Sequence, residues 1–445
     1  MTRENLTTFS LGGVHPPGCK SIASGAAIES MPLPGELCVS SSQHMGAPAS
    51  FLVKPKQEVL EGELIAVVER GLGAPIHSPA TGKVKKIEDI LHPTLGMIPA
   101  AFINPASEVL PRIYRHMDWA ALSREELLDK IKEAGVVGMG GAGFPTHIKL
   151  SPPPGCKVDT LVINGVECES YVTSDHRLML EHAEDIIEGV RIIMHILKVD
   201  LAVIGVEINK PDALDALEKA AKTRAKEANI RLVPLKVKYP QGSEKQLIQA
   251  VTNRLVPPGG LPAHVGVVVQ NVGTAQCVYQ AVSMGKPSYE RVVSISGLGI
   301  ARPANLFCKI GTRISDIVDF LGGISQNTVK CILGGPMMGY ALSDISYPIC
   351  KNNTGVLFLT DQETADPSFT NCIRCGHCLR ACPMGLMPSN ISVHVERGRL
   401  TGLEKFGLMD CFECGSCAYV CPAKRPLVHF IRVGKLHHNK QSAKK

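Results

Sequence analysis

Aromatic side chains are scarce in this 445-residue sequence, at 4% of all residues, and Trp119 is its single tryptophan. Surfaces that bind sugars or single-stranded nucleic acids rely on exposed aromatic faces for stacking. Charged residues of one sign are not concentrated in one segment either, because the net charge of +6 is spread along the chain. The composition therefore argues against a nucleic-acid partner and against a sugar-binding surface.

Long apolar runs are also missing: no stretch of 18 or more apolar residues occurs, so the sequence holds no candidate membrane-spanning helix. Residues 1–13, MTRENLTTFSLGG, lack the apolar core of a secretory signal. Without an export signal, 16 cysteines are expected to be metal ligands rather than disulfides. We therefore expect an intracellular protein that works at a membrane, if at all, peripherally.

Changes in composition along the chain predict a multidomain α/β protein with four regions. Residues 1–115 are rich in proline, glycine and short β-branched runs, which resemble a lipoyl-like barrel sandwich without an attachment lysine. Residues 120–285 alternate strand and helix patterns, which predicts a Rossmann-like, largely parallel sheet. Residues 290–345 have the β-rich pattern of a β-grasp (soluble-ligand-binding) module, and residues 365–430 form a cysteine region of ferredoxin-like helical type.

Within the α/β region, a helix is predicted over residues 122–134, opened by a capping box of Ser123 and Glu126. Short apolar runs predict buried strands at residues 159–165 and 200–206, with one helix over 177–197 between them. In the cysteine region, helices are predicted over residues 391–399 and around residues 402–408.

Eight cysteines in the C-terminal region form two copies of the motif Cys-x2-Cys-x2-Cys-x3-Cys-Pro. The first copy comprises Cys372, Cys375, Cys378 and Cys382, and the second comprises Cys411, Cys414, Cys417 and Cys421. Zinc sites favour two pairs of ligands, whereas each copy supplies three closely spaced thiolates and a fourth. In two-cluster ferredoxins the fourth cysteine of each run ligates the other cluster. The motif predicts two [4Fe–4S] clusters, one on Cys372, Cys375, Cys378 and Cys421, the other on Cys411, Cys414, Cys417 and Cys382.

A glycine-rich segment, GMGGAGFP, occupies residues 138–145. Its four glycines let a backbone approach a planar, phosphate-bearing ligand with free amides. The segment is not a Walker A loop, since no Gly-Lys-Ser/Thr follows, and it does not match the G-x-G-x-x-G dinucleotide turn. Taken alone, it indicates either a plain turn or a phosphate-binding loop.

Three polar motifs follow predicted strands of the same region. They are Asn164–Ser170 (NGVECES), Tyr239–Glu244 (YPQGSE) and Gln270–Thr274 (QNVGT). Polar residues at several strand ends mark a shared crevice on an α/β sheet. The sequence therefore predicts a binding site at this edge of the sheet.

The glycine-rich segment and these three motifs together resemble the family of flavin- and NADH-binding subunits of respiratory complex I. Further stretches, together with the paired cysteine runs, are more closely similar to the family of C subunits of the Rnf complex, a membrane-bound NAD–ferredoxin oxidoreductase. These stretches are FSLGGVHPP at residues 9–17, GMGGAGFPTHIKL at residues 138–150 and SDHRLMLE at residues 174–181. The resemblance covers essentially the whole chain.

This resemblance implies non-covalently bound FMN and a site for NAD(H), with no catalytic acid or base, because the flavin carries out hydride transfer. The implied FMN-binding residues are Gly138, Gly140, Gly141, Gly143, Lys149, Asn164, Glu167, Gly242 and Asn271. Phe144 would stack near the nicotinamide or adenine. The residues implied to hold the dinucleotide are Glu169, Tyr239 and Glu244.

Three positions depart from the complex I pattern, namely Met139, Val166 and Ser243. Cys168 departs too, and it is either a wall of the pocket or a bystander. These positions leave open an alternative function, a non-catalytic iron–sulfur relay without a working flavin site. Another alternative is the flavin and iron–sulfur cobalamin reductase of propanediol-degrading microcompartments. In that family the glycine loop lies near the N-terminus, whereas over 130 residues precede it here.

The resemblance implies a peripheral subunit that exchanges hydride between NAD(H) and FMN and passes single electrons through two [4Fe–4S] clusters. The enzyme would be an ion-translocating ferredoxin:NAD oxidoreductase on the cytoplasmic face of the bacterial inner membrane. Its partners would be the other Rnf subunits, including a ferredoxin-like subunit and integral membrane subunits. We expect the N-terminal and β-grasp regions to be docking surfaces for these partners.

Overall fold

Short strands build the N-terminal region of the computed structural model, which describes residues 6–107, 112–224, 228–364 and 368–442. The strands are β1 (Ile28–Ser30), β2 (Leu37–Ser40), β3 (Ser50–Phe51), β4 (Glu58–Val59), β5 (Leu64–Val67), β6 (Ile76–His77), β7 (Gly82–His92) and β8 (Gly96–Pro105). Seven of them form two antiparallel sheets, in the orders β2-β8-β7-β4 and β3-β5-β6. Leu37, Ile65 and Ile103 are fully buried between these sheets, so the predicted strand-rich sandwich is present.

A four-stranded sheet lies at the centre of the next region. Its strands are β9 (Thr160–Asn164), β10 (Leu201–Glu207), β11 (Asn229–Leu235) and β12 (Val267–Asn271). The order is β11-β10-β9-β12 and every pairing is parallel, as predicted. Strands β9, β10 and β12 are nearly continuous apolar runs because helices cover both faces of such a sheet, whereas the edge strand β11 is only partly buried. These helices are α1 (Arg124–Glu133), α2 (Thr146–Lys149), α3 (Ser174–Glu181), α4 (Ala183–Leu197), α5 (Pro211–Arg224), α6 (Glu244–Thr252) and α7 (Val272–Met284).

The single helix predicted over residues 177–197 is wrong, because the structure divides it into α3 and α4 at His182. His182 has non-helical angles, φ −128° and ψ 32°, and its ring nitrogen lies 3.1 Å from Asp185. Glu184 and Asp185 then occupy the first turn of α4, where negative charge favours a new helix start. The capping box of Ser123 and Glu126 on α1 is confirmed.

A second, six-stranded sheet follows in the order β1-β14-β13-β17-β15-β16. Its other elements are β13 (Glu290–Ser296), β14 (Ala304–Lys309), α8 (Ile314–Phe320), β15 (Thr328–Leu333), β16 (Tyr340–Leu342) and β17 (Gly355–Thr360). Strand β17 lies between β13 and β15 and is buried along its whole length. Residues 290–345 therefore complete this sheet only together with β17 and with β1 from the N-terminal region.

Within the described residues 368–442, the cysteine region has four helices: α9 (His377–Ala381), α10 (Pro388–Glu396), α11 (Ser416–Tyr419) and α12 (Leu427–Ser442). Helix α10 matches the helix predicted over residues 391–399, and it packs on α12 through Ile391 and Ile431. The helix predicted around residues 402–408 is wrong, because only a short 3-10 turn forms there. Gly402 and Gly407 flank this turn with φ of +68° and +79°, which a continuing helix cannot accommodate. In the four described ranges, none of the helices has the length and apolar character needed to span a bilayer.

Candidate functional site

The carboxyl ends of β9 and β12 lie side by side and carry polar residues. Asn164 and Asn271 are register partners at these ends. From β9 the chain adds β10 and β11 on one side, and then places β12 on the other side of β9. Such a reversal opens a crevice outside the strand ends, where α/β sheets bind ligands. The structure therefore brings the predicted polar residues together at the ends of β9 and β12, and this place is here called the crevice.

Asn271 connects three of the polar motifs. Its side-chain oxygen accepts the Gly273 amide at 2.8 Å and so caps helix α7. Its amide nitrogen donates to a carboxylate oxygen of Asp175 at 2.6 Å and lies 3.5 Å from the Asn164 carbonyl. Asn164 in turn donates to the Gly242 carbonyl at 2.8 Å. These bonds hold the crevice in one arrangement.

The glycine-rich segment lies over the start of α7. The loop closes on itself where the Gly138 amide donates to the Phe144 carbonyl at 2.9 Å, and the Met139 amide donates to the Thr274 hydroxyl at 2.9 Å. A Cβ on Gly140 would stand 2.7 Å from the Asn271 side-chain nitrogen, so a glycine is needed there. Gly140 and Gly141 are exposed at the tip of the loop, and Phe144 is half-buried. The tip thus presents backbone beside the positive end of a helix.

A loop of the N-terminal sandwich packs against the glycine-rich segment. Residues 40–44 of this loop are buried, and the Met45 amide donates to the Gly143 carbonyl at 3.1 Å. Gly143 has φ +73°, and a Cβ there would stand 3.0 Å from the His44 Cα. No sequence pattern indicates this contact, because His44 and Gly143 are distant in the chain and match no shared motif.

At the mouth of the crevice, Lys149 at the end of α2 donates to Glu244 at 2.5 Å. Their side chains are 30% and 37% exposed, so this ion pair is open to solvent and can be displaced by a competing anion. The pair brings the glycine-rich segment and the YPQGSE motif together. Of the three positions that depart from the complex I pattern, Met139 and Val166 are buried, and Ser243 immediately precedes α6.

Glu167 lies deeper, with the left-handed φ of +48°. One of its carboxylate oxygens accepts the Asp175 amide at 2.7 Å, and the other lies 3.6 Å from the Lys20 ammonium. Burial raises the pKa of Glu167 to about 7 and lowers the pKa of Lys20, so burial outweighs their attraction. Burial raises the pKa of Asp175 as well. The crevice therefore has a wall of carboxyl groups that resist ionisation.

Cys168 lies against the same wall. Its sulfur accepts the Gly242 amide at 3.3 Å, and burial raises the pKa of its thiol. This contact fits both alternatives for Cys168, a wall of the pocket or a bystander.

Glu169 and Tyr239 form their hydrogen bonds away from the glycine-rich segment. Glu169 accepts the amides of Met337 and Met338 at 3.1 and 3.0 Å. The Tyr239 hydroxyl donates to the Cys414 carbonyl at 2.7 Å and lies 3.4 Å from Glu169. These two residues therefore join the parallel sheet and the six-stranded sheet to the cysteine region.

The eight cysteines fall into two sets of four. One cavity is lined by Cys372, Cys375, Cys378 and Cys421. In the other set, burial raises the pKa of Cys411 to about 11, and the neighbouring Cys414 and Cys382 thiols add to the shift. Burial also raises the pKa of Cys417, and the Cys414, Cys411 and Cys382 thiols add to the shift, as does Cys378 of the first set. In both sets the fourth cysteine comes from the other run, which is the predicted grouping, and the ligand role of each set stays a prediction.

Each set offers four free thiols as possible ligands. Among the residues that the structure describes, no three His, Cys, Asp or Glu side chains are grouped to hold a single metal ion. A polynuclear cluster with four surrounding thiolates fits this donor set.

Three residues that contact the crevice were not predicted from the sequence. They are Lys20, Met45 and Asp175. Asp175 carried a detectable signal, since it is the acidic residue in the first turn of α3 within the stretch SDHRLMLE. Lys20 carried none, because its contacts lie about 150 residues away in the chain.

Comparison with protein families supports three of the four regions. The Nuo51 FMN-binding domain matches residues 131–280, the RnfC barrel sandwich hybrid domain matches residues 8–108, and the 4Fe-4S dicluster domain matches residues 371–424. The predicted N-terminal sandwich, the flavin domain and the iron–sulfur domain are thus confirmed.

Several relatives, all of them C subunits of multisubunit complexes, align over almost the whole chain. That of the proton-translocating ferredoxin:NAD(+) oxidoreductase complex of Clostridium ljungdahlii is 46% identical over 95% of this chain and 92% of its own length. That of the Na(+)-translocating ferredoxin:NAD(+) oxidoreductase complex of Acetobacterium woodii is 38% identical over 95% and 96%. That of the ion-translocating oxidoreductase complex of Rhodobacter capsulatus is 39% identical over 97% and 83%.

Solved structures of an NAD+-reducing [NiFe]-hydrogenase share the fold. The air-oxidized state aligns with a TM-score of 0.50 at 18% identity, over 65% of this chain and 59% of that chain. The H2-reduced state aligns with a TM-score of 0.51 at 18% identity, over 72% and 61%.

Proposed function

This chain belongs to the family of C subunits of Rnf-type ion-translocating oxidoreductase complexes, and we propose that it exchanges electrons between NAD(H) and a ferredoxin-linked partner. It is an oxidoreductase component with an FMN-binding domain and a 4Fe–4S dicluster domain. The observation that carries the proposal is the direct contact of these two domains, where the Tyr239 hydroxyl donates to the Cys414 carbonyl at 2.7 Å. An electron relay needs such contact between its redox domains.

The crevice fits a phosphate-bearing flavin. Exposed glycine backbone lies beside the first turn of α7, whose positive end favours an anion. We propose that FMN is held there by Gly138, Gly140, Gly141, Gly143, Lys149, Asn164, Glu167, Gly242 and Asn271. When bound, FMN would supply the exchange between a two-electron hydride and the single electrons that iron–sulfur clusters carry.

The ion pair of Lys149 and Glu244 gives the two ligands a way to influence each other. A phosphate at the mouth of the crevice would compete for the Lys149 ammonium and release Glu244 from its 2.5 Å contact. Glu244 would then be free to accept hydrogen bonds from the ribose of a dinucleotide. Phe144 would be available to stack on a flat ring of the same dinucleotide. Flavin binding would thus prepare the site for NAD(H).

The contacts of Glu169 and Tyr239 support a different role from dinucleotide binding. Both residues hydrogen-bond at the boundary with the cysteine region. We propose that they fix the cysteine region against the flavin domain, and that Glu244 and Phe144 bind the dinucleotide.

We propose two [4Fe–4S] clusters in series. The set of Cys382, Cys411, Cys414 and Cys417 adjoins the flavin domain through Tyr239. The other set reaches the surface, since Cys375 is exposed and the neighbouring Ile373 is 67% exposed. The exposed side chains of Arg374 and Arg380 make this surface basic. A ferredoxin-like subunit with acidic side chains would dock at this face, with the integral membrane subunits holding the complex to the cytoplasmic face of the membrane.

An anaerobic titration tests the proposed function. The purified holoprotein is analysed for flavin and iron, and NADH is then added while absorbance is recorded. We expect bleaching of a flavin band followed by reduction of the clusters. Iron without flavin, and no response to NADH, would instead show a passive relay and would refute the flavin site.

A further inference from the structure

Residues 7–20 cross the molecule from the edge of the parallel sheet to the crevice. Thr7 forms a parallel bridge with Leu235 at the end of β11, and its carbonyl accepts the Lys236 amide at 3.0 Å. Val14 pairs in antiparallel fashion with Tyr239, through two backbone hydrogen bonds of 2.8 and 2.9 Å. This segment, here called the brace, therefore extends the flavin domain by paired backbone.

The middle of the brace touches the cysteine region. The Gly13 amide donates to the Ala381 carbonyl at 2.9 Å. Gly12 has φ +63°, and a Cβ there would stand 2.6 Å from the backbone carbon and oxygen of Cys382. Because backbone atoms cannot move aside as a flexible side chain can, only glycine permits this approach.

The brace also contacts the set that contains Cys382 indirectly, through Tyr239. Val14 holds the Tyr239 backbone, and the Tyr239 hydroxyl donates to the Cys414 carbonyl. Cys382 and Cys414 come from different runs but belong to one set. The flavin domain adds a third contact, in which the Gln246 side chain donates to the Pro383 carbonyl at 3.2 Å.

The far end of the brace lies in the wall of the crevice. Lys20 donates to the carbonyls of Glu169 and Val172 at 3.0 and 2.6 Å, and it lies 3.6 Å from the Glu167 carboxylate. A single short segment therefore contacts both the crevice and the cluster cysteines next to it.

We propose that residues 7–20 are a positioning brace that fixes the separation between the flavin crevice and the cluster on Cys382, Cys411, Cys414 and Cys417. The inference rests on the proposed function and extends it to a part of the chain outside the flavin and dicluster domains. With FMN held at the crevice and a cluster held by these cysteines, the reduced flavin would lose one electron and the cluster would gain it. The rate of such a step depends on a fixed separation of the two groups, so a small displacement has a large effect.

The brace changes the expectation for the N-terminal region, which the sequence predicts to be a docking surface. Deletion of residues 1–110 would also remove the brace and the loop that supports Gly143. It would therefore disturb the redox centres even in a protein without partners.

The test compares Gly12→Ala with Gly25→Ala in the holoprotein. Gly25 is exposed, lies outside the brace and has open space where a Cβ would be added, so it is the matched control. After rapid mixing with NADH, we expect the flavin of Gly12→Ala to be reduced at the control rate. Cluster reduction should be slower by roughly tenfold or more. Amides of residues 379–387 should exchange hydrogen faster, and the electron paramagnetic resonance signal of one cluster should change.

A second variant covers the case in which Gly12→Ala does not fold or loses iron. Gln249→Ala adds no atoms and removes the 2.7 Å bond to the Ser10 hydroxyl and the 3.4 Å contact with the Ser10 amide. We expect it to slow cluster reduction and to speed amide exchange in residues 379–387, both by less than Gly12→Ala would. The proposal is overturned if Gly12→Ala and Gln249→Ala match Gly25→Ala both in the rate of cluster reduction and in amide exchange. A wild-type protein that does not respond to NADH would refute the proposed function, while amide exchange would still report on the brace.

Discussion

Asn271 takes part in two structures through one side chain. Its oxygen caps α7, and its nitrogen donates to the buried carboxyl group of Asp175. Asn271, which is the register partner of Asn164, therefore also holds the start of the helix that lies under the glycine-rich segment. The missing Cβ of Gly140 leaves room for that side chain. Gly140 is thus part of the candidate site because it leaves space for the Asn271 side chain.

Gly140→Ala should displace the Asn271 side chain, because the new Cβ would stand 2.7 Å from its nitrogen. Loss of the cap on α7 would lower the free energy of unfolding by about 1 kcal/mol. We also expect weaker FMN binding, measured as flavin retained after gel filtration. Gly35→Ala, which meets no atom within 4 Å, is the control. Equal flavin retention in both variants would contradict the proposed role of Gly140.

Among the secondary-structure elements, the contact of α4 with α7 determines where the floor of the crevice lies. A Cβ on Gly189 of α4 would stand 1.8 Å from the carbonyl oxygen of Ala275 on α7. The two helix backbones are therefore in direct contact, and α7 carries both Asn271 at its cap and Thr274 under the glycine-rich segment.

Gly189→Ala should force α4 and α7 apart and lower the free energy of unfolding by roughly 1–3 kcal/mol, the usual cost of overpacking. Since α7 would move, flavin should be lost together with stability, which thermal unfolding followed by flavin fluorescence can show. Gly434→Ala on α12 is the matched control, because the nearest atoms to its Cβ would be side-chain ends, of Leu403 and Leu408 at 3.2 Å and of Val395 at 3.4 Å. Flavin loss from the control alone would contradict this account.

Across the whole molecule, Lys351 joins three regions. It is 1% exposed and donates to the carbonyls of Pro75 in the N-terminal sandwich and Gly135 after α1, at 2.8 and 2.7 Å. Burial lowers the pKa of Lys351 to about 7. A neutral amine has two donors, which matches the two carbonyls.

The pH dependence of stability follows from that lowered pKa. The folded protein binds the Lys351 proton less tightly than the unfolded chain does, so stability rises with pH between about 7 and the ordinary value of 10.5. The slope from this group approaches about 1.4 kcal/mol per pH unit. Lys351→Met should remove this rise, measured as the unfolding midpoint from pH 6.5 to pH 9.5. The exposed Lys83→Met should keep it, and an unchanged slope in Lys351→Met would exclude this assignment.

The two cysteine sets give a prediction about the iron–sulfur domain as a whole. Cys421→Ser should abolish the same paramagnetic signal as Cys375→Ser, because both cysteines line one cavity. Cys382→Ser and Cys414→Ser should abolish the other signal. Each variant should lose about half of the bound iron. If Cys421→Ser instead paired with Cys414→Ser, each run would hold its own cluster and the crossed grouping would be wrong.

Features that depend on local spacing could be predicted from the sequence alone. The capping box of Ser123, the buried strands of the parallel sheet and the cysteine runs each occupy a few neighbouring residues, so their chemistry can be read from the order of residues. The crevice could be located as well, because the carboxyl ends of parallel strands meet at one edge of a sheet. The sequence does not indicate the break at His182, because the apolar period continues across it.

The distant segments that complete the sites could be assigned only from the three-dimensional structure. The brace at Gly12, the Lys20 ammonium beside Glu167 and the sandwich loop under Gly143 arise from contacts between residues more than about 90 positions apart. The same holds for Tyr239, which contacts Cys414, and for Glu169, which contacts Met337 between β15 and β16. Such contacts depend on how separate regions pack around shared buried surface, and no local pattern of residue types encodes that packing.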